Sequence, residues 1–373
     1  MSKGSHRELK LLGNAAADFS RKELAPSREE NDKYPYGAFF DTVINKAYTI
    51  DFFHIILPED AGGMGQGMAA LSVVLEHICQ EDSSLGGIIF TCSAAHEIMK
   101  AAGSMDVLSQ ITDVAENVND FLIAFPVFNN PSEIPHLACA RKDGDRYILT
   151  GSIEYMVLGN IAAKALVPAK ISDDNTFSFF LVDLKDKGIS ISDPILSLGL
   201  HACPATDISF QDVNGILIGE ENKGKDYFNA MAEKFHVAAA AMSQGIMKGA
   251  FKEALAYTKG RFQGGRQIVN WSEMKMILAN MAVKIKVSEM ILASATVAVD
   301  ENGNGWRECA KAAAIHIQEL ACDLTTDGIQ VLGGVGYMKD FGQEKRFRDA
   351  KHIQAILGLA PLKKIDYLEN FIM

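Results

Sequence analysis

At 373 residues the chain is too long for one small core and is expected to divide into two or three domains. Its composition, 48% hydrophobic and 22% charged, excludes the disordered and low-complexity classes. A formal charge of −11 without a dense lysine or arginine block removes the electrostatic footprint of a nucleic-acid binder, while a few local cations can still serve an anionic ligand.

The start, Met1-Ser2-Lys3-Gly4, leads into a polar helix-like stretch with no apolar signal core, and no uncharged apolar run approaches the roughly 18 residues of a membrane span. A cytoplasmic protein is expected. From Glu8 to about Gly103 the pattern is mostly helical, broken at Pro26, at Pro35 and at the run from Pro58 to Gly65, which reads PEDAGGMG. Met68 to Glu81 is apolar at helical spacing, and Gly86-Gly87 opens another such segment ending near Ala102. Between about Asn119 and Asn222 the texture changes to short alternating or apolar runs, with candidate turns at Lys142-Asp143-Gly144-Asp145 and Asp173-Asp174-Asn175. After Gly224 helical periodicity returns. Phe228, Met231, Phe235, Ala238 and Met242 recur at steps of three and four, and Met274, Ile277, Met281 and Ile285 repeat the habit. These stripes are expected to need partner helices. Cysteines at 79, 92, 139, 203, 309 and 322 form no C-x-x-C pair or metal-binding cluster, so buried free thiols are the default and no metal site is expected.

Helices, then strands, then long helices define an α+β class with three expected units, 1–118 helical, 119–222 β and 223–373 a helical bundle. The C-terminal unit carries the most specific pattern, Asp327-Gly328-Ile329-Gln330-Val331-Leu332-Gly333-Gly334-Val335-Gly336-Tyr337, followed by Arg348-Asp349-Ala350-Lys351. It resembles the D-G-x-Q-x-x-G-G-x-G-[FY] and R-D-A-K motifs of the FAD-dependent acyl-CoA dehydrogenases. The PEDAGGMG loop, the stretch Tyr147 to Gly159 and the stretch Gly199 to Val213 resemble other family segments in order, with His201 standing where the last has an arginine.

That resemblance implies an N-terminal helical domain, a middle β domain, a C-terminal four-helix-type bundle and assembly as a dimer of dimers through the bundle. It also implies a glutamate that removes the acyl α-proton of an acyl-CoA thioester while hydride passes to the flavin. Neither family position for that glutamate holds an acid here. One is Leu357, within Gln354-Ala355-Ile356-Leu357-Gly358-Leu359, and the other is Phe235. Glu233 lies two residues before Phe235, about 200° around a helix, and is expected to face elsewhere. His236 adjoins the position and is a candidate titrating near neutrality, although a structural histidine is the commoner reading.

Positions that the resemblance places against the chain's own flavin have also lost hydroxyls. The T-E-P-x-A-G-S-D loop aligns with Phe125 to Ser132, the threonine facing the flavin's reactive nitrogen with Val157, and a further threonine with Leu359, while Tyr155 keeps an aromatic. Residues that the family extends across a dimer interface to a neighbour's FAD survive better, namely Arg261 of R-x-x-F-G, although Gly264 replaces its aromatic, and Gln330, Gly333 and Gly334. A plain chain reversal also accounts for the two glycines. The expected reading is a non-catalytic or half-site subunit completing a homologous partner's FAD site, with electron-transferring flavoprotein as the family's usual acceptor. A self-sufficient flavoenzyme of altered chemistry and a flavin-free scaffold are the alternatives.

Overall fold

The computed structural model describes residues 3–144, 146–171 and 176–372. The first helical group comprises α1 (Lys3–Phe19), α2 (Arg28–Asn31), α3 (Ala38–Thr49), α4 (Met68–Cys79), α5 (Ser83–Ala101), α6 (Met105–Val114) and α7 (Val118–Phe121). Strands follow: β1 (Ile123–Ala124), β2 (Ala138–Asp143), β3 (Arg146–Val157), β4 (Lys164–Lys170), β5 (Ser178–Asp183), β6 (Ile189–Ile191) and β7 (Ala205–Ile218). Then come α8 (Gly224–Gly260), the small hairpin β8 (Phe262–Gln263) and β9 (Arg266–Gln267), α9 (Ser272–Asp300), α10 (Trp306–Leu332), α11 (Gln343–Ile353) and α12 (Ala360–Ile372). This is the expected α+β order.

The strands close on themselves. β4 pairs with β2, β2 with β3, β3 with β7, β7 with β5 and β5 again with β4, so few ladder edges stay open, while β1 joins β4 and β6 joins β7. β2 and β3 meet with Asp143 opposite Arg146, as the Lys142–Asp145 turn requires, although Asp145 itself lies outside the described residues. The turn expected at Asp173-Asp174-Asn175 lies outside them as well.

Helix α8 is the axis of the helical part, packing against α4, α5, α9, α10 and α11. Phe228, Met231, Phe235, Ala238 and Met242 are all buried on it, each large one contributing about 1.5–3 kcal/mol of transfer free energy. The helices approach closely because α8 carries glycine where they touch. A Cβ at Gly245 would stand 2.3 Å from the carbonyl oxygen of Glu76, and one at Gly249 would stand 2.2 Å from that of Gln80. The stripe expected to require a partner helix is therefore covered within the chain. On α9, Met281 and Ile285 are buried, whereas Met276, Val283 and Met290, seven residues apart, are more than 60% exposed and form a separate uncovered apolar line.

The R-D-A-K segment acts as a clamp. The Asp349 carboxylate accepts from the Leu200 N–H at 2.8 Å and from Lys345 at 2.7 Å, and Lys345 also lies 3.6 Å from the buried Asp82 at the start of α5. Arg348 reaches Asp32, Glu344 and the Leu198 carbonyl. Four of the six cysteines are buried and all six are free, and among the described residues no helix is long and apolar enough to cross a membrane.

Candidate functional site

The two loops that the resemblance assigns to the flavin ring meet directly. Strand β3 is bulged between Ile153 and Met156, and there Tyr155 adopts a left-handed backbone (φ 57°), its N–H held by the Asp207 carboxylate at 2.9 Å. The bulge aims the Tyr155 ring at α11, where its hydroxyl meets His352 Nε2 at 2.9 Å. The other nitrogen, Nδ1, faces the Gly199 carbonyl at 2.8 Å and must donate, which in the neutral ring leaves Nε2 to accept from the tyrosine. Burial pushes the His352 pKa down, in agreement, and pushes Tyr155 up to about 12. Phe128 stacks on the same imidazole with centroids 4.5 Å apart and meets Tyr155 edge-on at 5.8 Å.

Around that stack the backbone is closed. Val157 and Phe125 exchange hydrogen bonds of 3.3 and 3.1 Å, both are fully buried, and the Leu357 N–H donates to the Val127 carbonyl at 2.9 Å. Leu357 is itself buried in a left-handed conformation (φ 65°), uncommon for leucine. The loops that the resemblance sets beside an isoalloxazine ring are thus packed against and hydrogen-bonded to one another, with Phe128, Tyr155 and His352 in mutual contact. The chain's own side of the flavin site does not fit the ring. Sequence reading noted the lost hydroxyls but missed Phe128 and His352 as the groups that take up the space.

Phe235, at the second base position, is completely buried and meets Phe90 edge-on at 5.2 Å. Glu233 leaves that face as helix geometry dictates, and Arg307 Nε holds its carboxylate at 2.6 Å. It lines a cavity of about 510 Å3 with His236 and with Leu357, the other base position, while Phe235 stays outside that lining. His236 is not a group titrating near neutrality. Burial, aided by Lys363 and Lys311, pushes it down to about 3. Lys363 is also buried, donating to the Gln354 and Ile356 carbonyls at 2.8 and 2.9 Å, which pins the loop carrying Leu357, and burial lowers its pKa to about 8.

On the other side of the molecule the structure brings Arg261, Gln330, Gly333 and Gly334 together. They line one cavity of about 730 Å3, within the size range of small-molecule sites, with Tyr257, Trp271 and Met274 among its walls. Arg261 ends α8, its N–H bonded to the Tyr257 carbonyl, and Gln330 lies in the last turn of α10. Gly333 terminates α10 at φ 63°, ψ −139°, a conformation open essentially to glycine alone, so the chain reversal explains it. No such reason applies to Gly334. A Cβ there would meet only the Tyr337 hydroxyl, at 4.0 Å, and the space beside it is open. Arginine, an amide side chain and exposed backbone around an open cavity suit a pyrophosphate or an adenosine approaching from outside.

His201, in place of the family's arginine, has Nδ1 2.8 Å from the Asp32 carbonyl and Nε2 3.0 Å from the Ser197 carbonyl. Carbonyls only accept, so these two contacts suit the protonated ring, with Arg348 3.5 Å from Nε2 opposing it. The hydrogen bond with the Asp32 carboxylate raises its pKa against the opposing effect of burial. Burial pushes Asp32 up, but hydrogen bonds from His201 and Arg348 overcome it and hold the carboxyl well below its usual range. A residue whose protonated form is favoured thus stands where the family has arginine.

Against known proteins, the model of the acyl-CoA dehydrogenase N-terminal domain matches residues 6–110 and that of the C-terminal domain matches residues 222–359. A 3-(aryl)acrylate reductase of Clostridium sporogenes is 27% identical, over 97% of this chain and 98% of its own length. The caffeyl-CoA reductase–Etf complex subunit CarC of Acetobacterium woodii is 25% identical, over 95% and 96%. Among solved structures, butyryl-CoA dehydrogenase from Megasphaera elsdenii superposes with a TM-score of 0.89 at 21% identity, covering 100% of this chain and 99% of its own. Fold and motifs together define an oxidoreductase of the flavoprotein kind. The chain belongs to the acyl-CoA dehydrogenase family, whose members bind FAD.

Proposed function

We propose that this chain is the non-catalytic half of a hetero-oligomeric, FAD-dependent acyl-CoA oxidoreductase, gripping the pyrophosphate and adenosine of a FAD whose ring reacts in a homologous partner subunit. One observation carries the reading: Phe128, Tyr155 and His352 pack on one another where the resemblance sets the chain's own flavin loops, whereas Arg261, Gln330 and Gly334 line an open cavity. Glu233 in a cavity does not change this, because a base without a hydride acceptor beside it completes no dehydrogenation. The uncovered line Met276, Val283 and Met290 on α9 supports association through the helical bundle. Some relatives are named as reductases and one as part of an Etf complex, which supports an electron-transferring flavoprotein as the redox partner of the assembly.

The test is flavin stoichiometry. Purified alone, the chain is expected to be colourless; co-expressed with a homologous chain that keeps the glutamate, the complex is expected to be yellow, with fewer flavins than subunits. One FAD per chain in the protein purified alone would return it to the self-sufficient flavoenzymes, and a colourless complex would favour the scaffold.

A further inference from the structure

Helix α12 buries almost nothing of its own. Among its described residues only Lys363 is buried, none of its apolar side chains joins the hydrophobic core, and α10 is the element it chiefly packs against. Yet Leu362, Ile365, Asp366 and Glu369, spaced three, one and three residues apart and so on one face of the helix, all line the 510 Å3 cavity. α12 therefore roofs that cavity, and Leu362 and Ile365, 38% and 54% exposed, stand over open space.

A helix that gains so little from apolar burial is held by its polar contacts. The Lys363 ammonium donates to the Gln354 and Ile356 carbonyls of the preceding loop at 2.8 and 2.9 Å, and meets Gln318 Oε1 of α10 at 3.3 Å. Lys364 pairs with Glu319 of α10, and Asp366 with Lys311 of α10. Lys364, Glu319 and Asp366 are well exposed, so solvent screens both pairs and Lys363 is the firm attachment. The chain leading into the helix is free to turn. Leu357 is fixed by its bond to Val127, but Gly358 follows at φ 116°, in the backbone region that favours glycine.

We infer that α12 is a gate that undocks from α10 about Gly358, with Lys363 as its latch, and so controls entry to the cavity that holds Glu233, His236 and Lys311. The inference is independent of the proposed function, since it needs neither a flavin nor a partner subunit. The closed gate covers Lys311, whose side chain is 14% exposed beside Asp366, and opening breaks that pair and presents the amine. The 13 residues of α12, detached from their support, do not stay helical in water, so opening also exposes their amides to exchange.

The test uses the full-length chain, with amide hydrogen exchange and lysine acetylation by N-hydroxysuccinimidyl acetate both read by mass spectrometry. In the wild type the α12 amides are expected to exchange well before those of α10. Lys363→Met, which keeps the stem without the donors, should speed α12 exchange about ten- to a hundredfold, the loss of hydrogen bonds from one charged group. It should also speed acetylation of Lys311, while the α10 amides and the exposed Lys22 react as before. Leu368→Ala, off the cavity face and 57% exposed, should change neither rate. The gate is overturned if wild-type α12 exchanges only together with α10, or if Lys363→Met leaves α12 and Lys311 unchanged. It is overturned too if Leu368→Ala opens the helix as far as Lys363→Met, since the hold would then lie on the outer face. Should Lys363→Met unprotect α10 as well, its fold is compromised and the wild-type difference between α12 and α10 decides alone.

Discussion

The N–H of Leu357 donates to the carbonyl oxygen of Val127 across 2.9 Å, and this bond ties the loop between α11 and α12 to the loop that follows β1. In a relative working on its own flavin the first loop would present the base and the second would hold the ring. Here they hold each other.

Removing the ring that fills the space tests how firmly it is packed. Phe128→Ala is expected to cost about 3–5 kcal/mol, as for other buried phenylalanines, read from denaturant midpoints, and Phe128→Leu much less. A change below about 1 kcal/mol would mean the aromatic stack on His352 does not hold the loops together.

Restoring the family's base should not restore chemistry. Leu357→Glu and Phe235→Glu, separately, are expected to give no dehydrogenation of acyl-CoA substrates by the chain alone. Phe235→Glu should also lose at least about 3 kcal/mol of stability, because it removes a completely buried ring and introduces a carboxylate in its place. Turnover with either variant would show that a flavin ring does find room in this chain.

The imidazolium of His201 predicts a pH dependence with a definite sign. Its folded pKa is raised above 6.5, so the stability it contributes is complete below that pH and is lost as pH rises through the folded value. Lys363, lowered to about 8, acts in the opposite sense, since the unfolded chain keeps its proton longer and stability rises with pH above that value. The difference between wild type and His201→Gln isolates the histidine. That difference should shrink as pH climbs above 6.5 through the folded value, and a constant difference in urea titrations would show that the His201 pKa is the same in the folded and unfolded chain.

Arg261→Ala is expected to lower the affinity of a co-purified partner for FAD about ten- to a hundredfold, the loss of one charge-assisted contact to phosphate. Val157→Thr, at the position that faces the ring in relatives, should leave flavin content unchanged because Val157 is fully buried against Phe125. Equal effects of the two would argue against a division between the two sites.

Periodicity carried the fold well. The α8 stripe from Phe228 to Met242 is buried as its spacing requires, and the turn expected at Lys142 to Asp145 falls between paired strands. The helices that the stripe needs are supplied within the chain, and no local signal announces that Gly245 and Gly249 admit α4 at backbone contact. The candidate site was legible by subtraction only. Leu357, Phe235 and Val157 show missing chemistry, but that Phe128 and His352 stack on each other depends on a β-bulge and a helix about 200 residues apart, which a linear pattern does not encode.

The stack of Phe128, His352 and Tyr155 also bears on how the protein comes into being. An enzyme that leaves a cavity for its prosthetic group gains stability by mass action when the group binds, and its apoprotein is the weaker form. On the proposed function this chain supplies its packing from its own sequence, so that it would mature without drawing on the flavin supply. If the proposed partner subunit carries the flavin, riboflavin starvation would deplete that partner while sparing this chain.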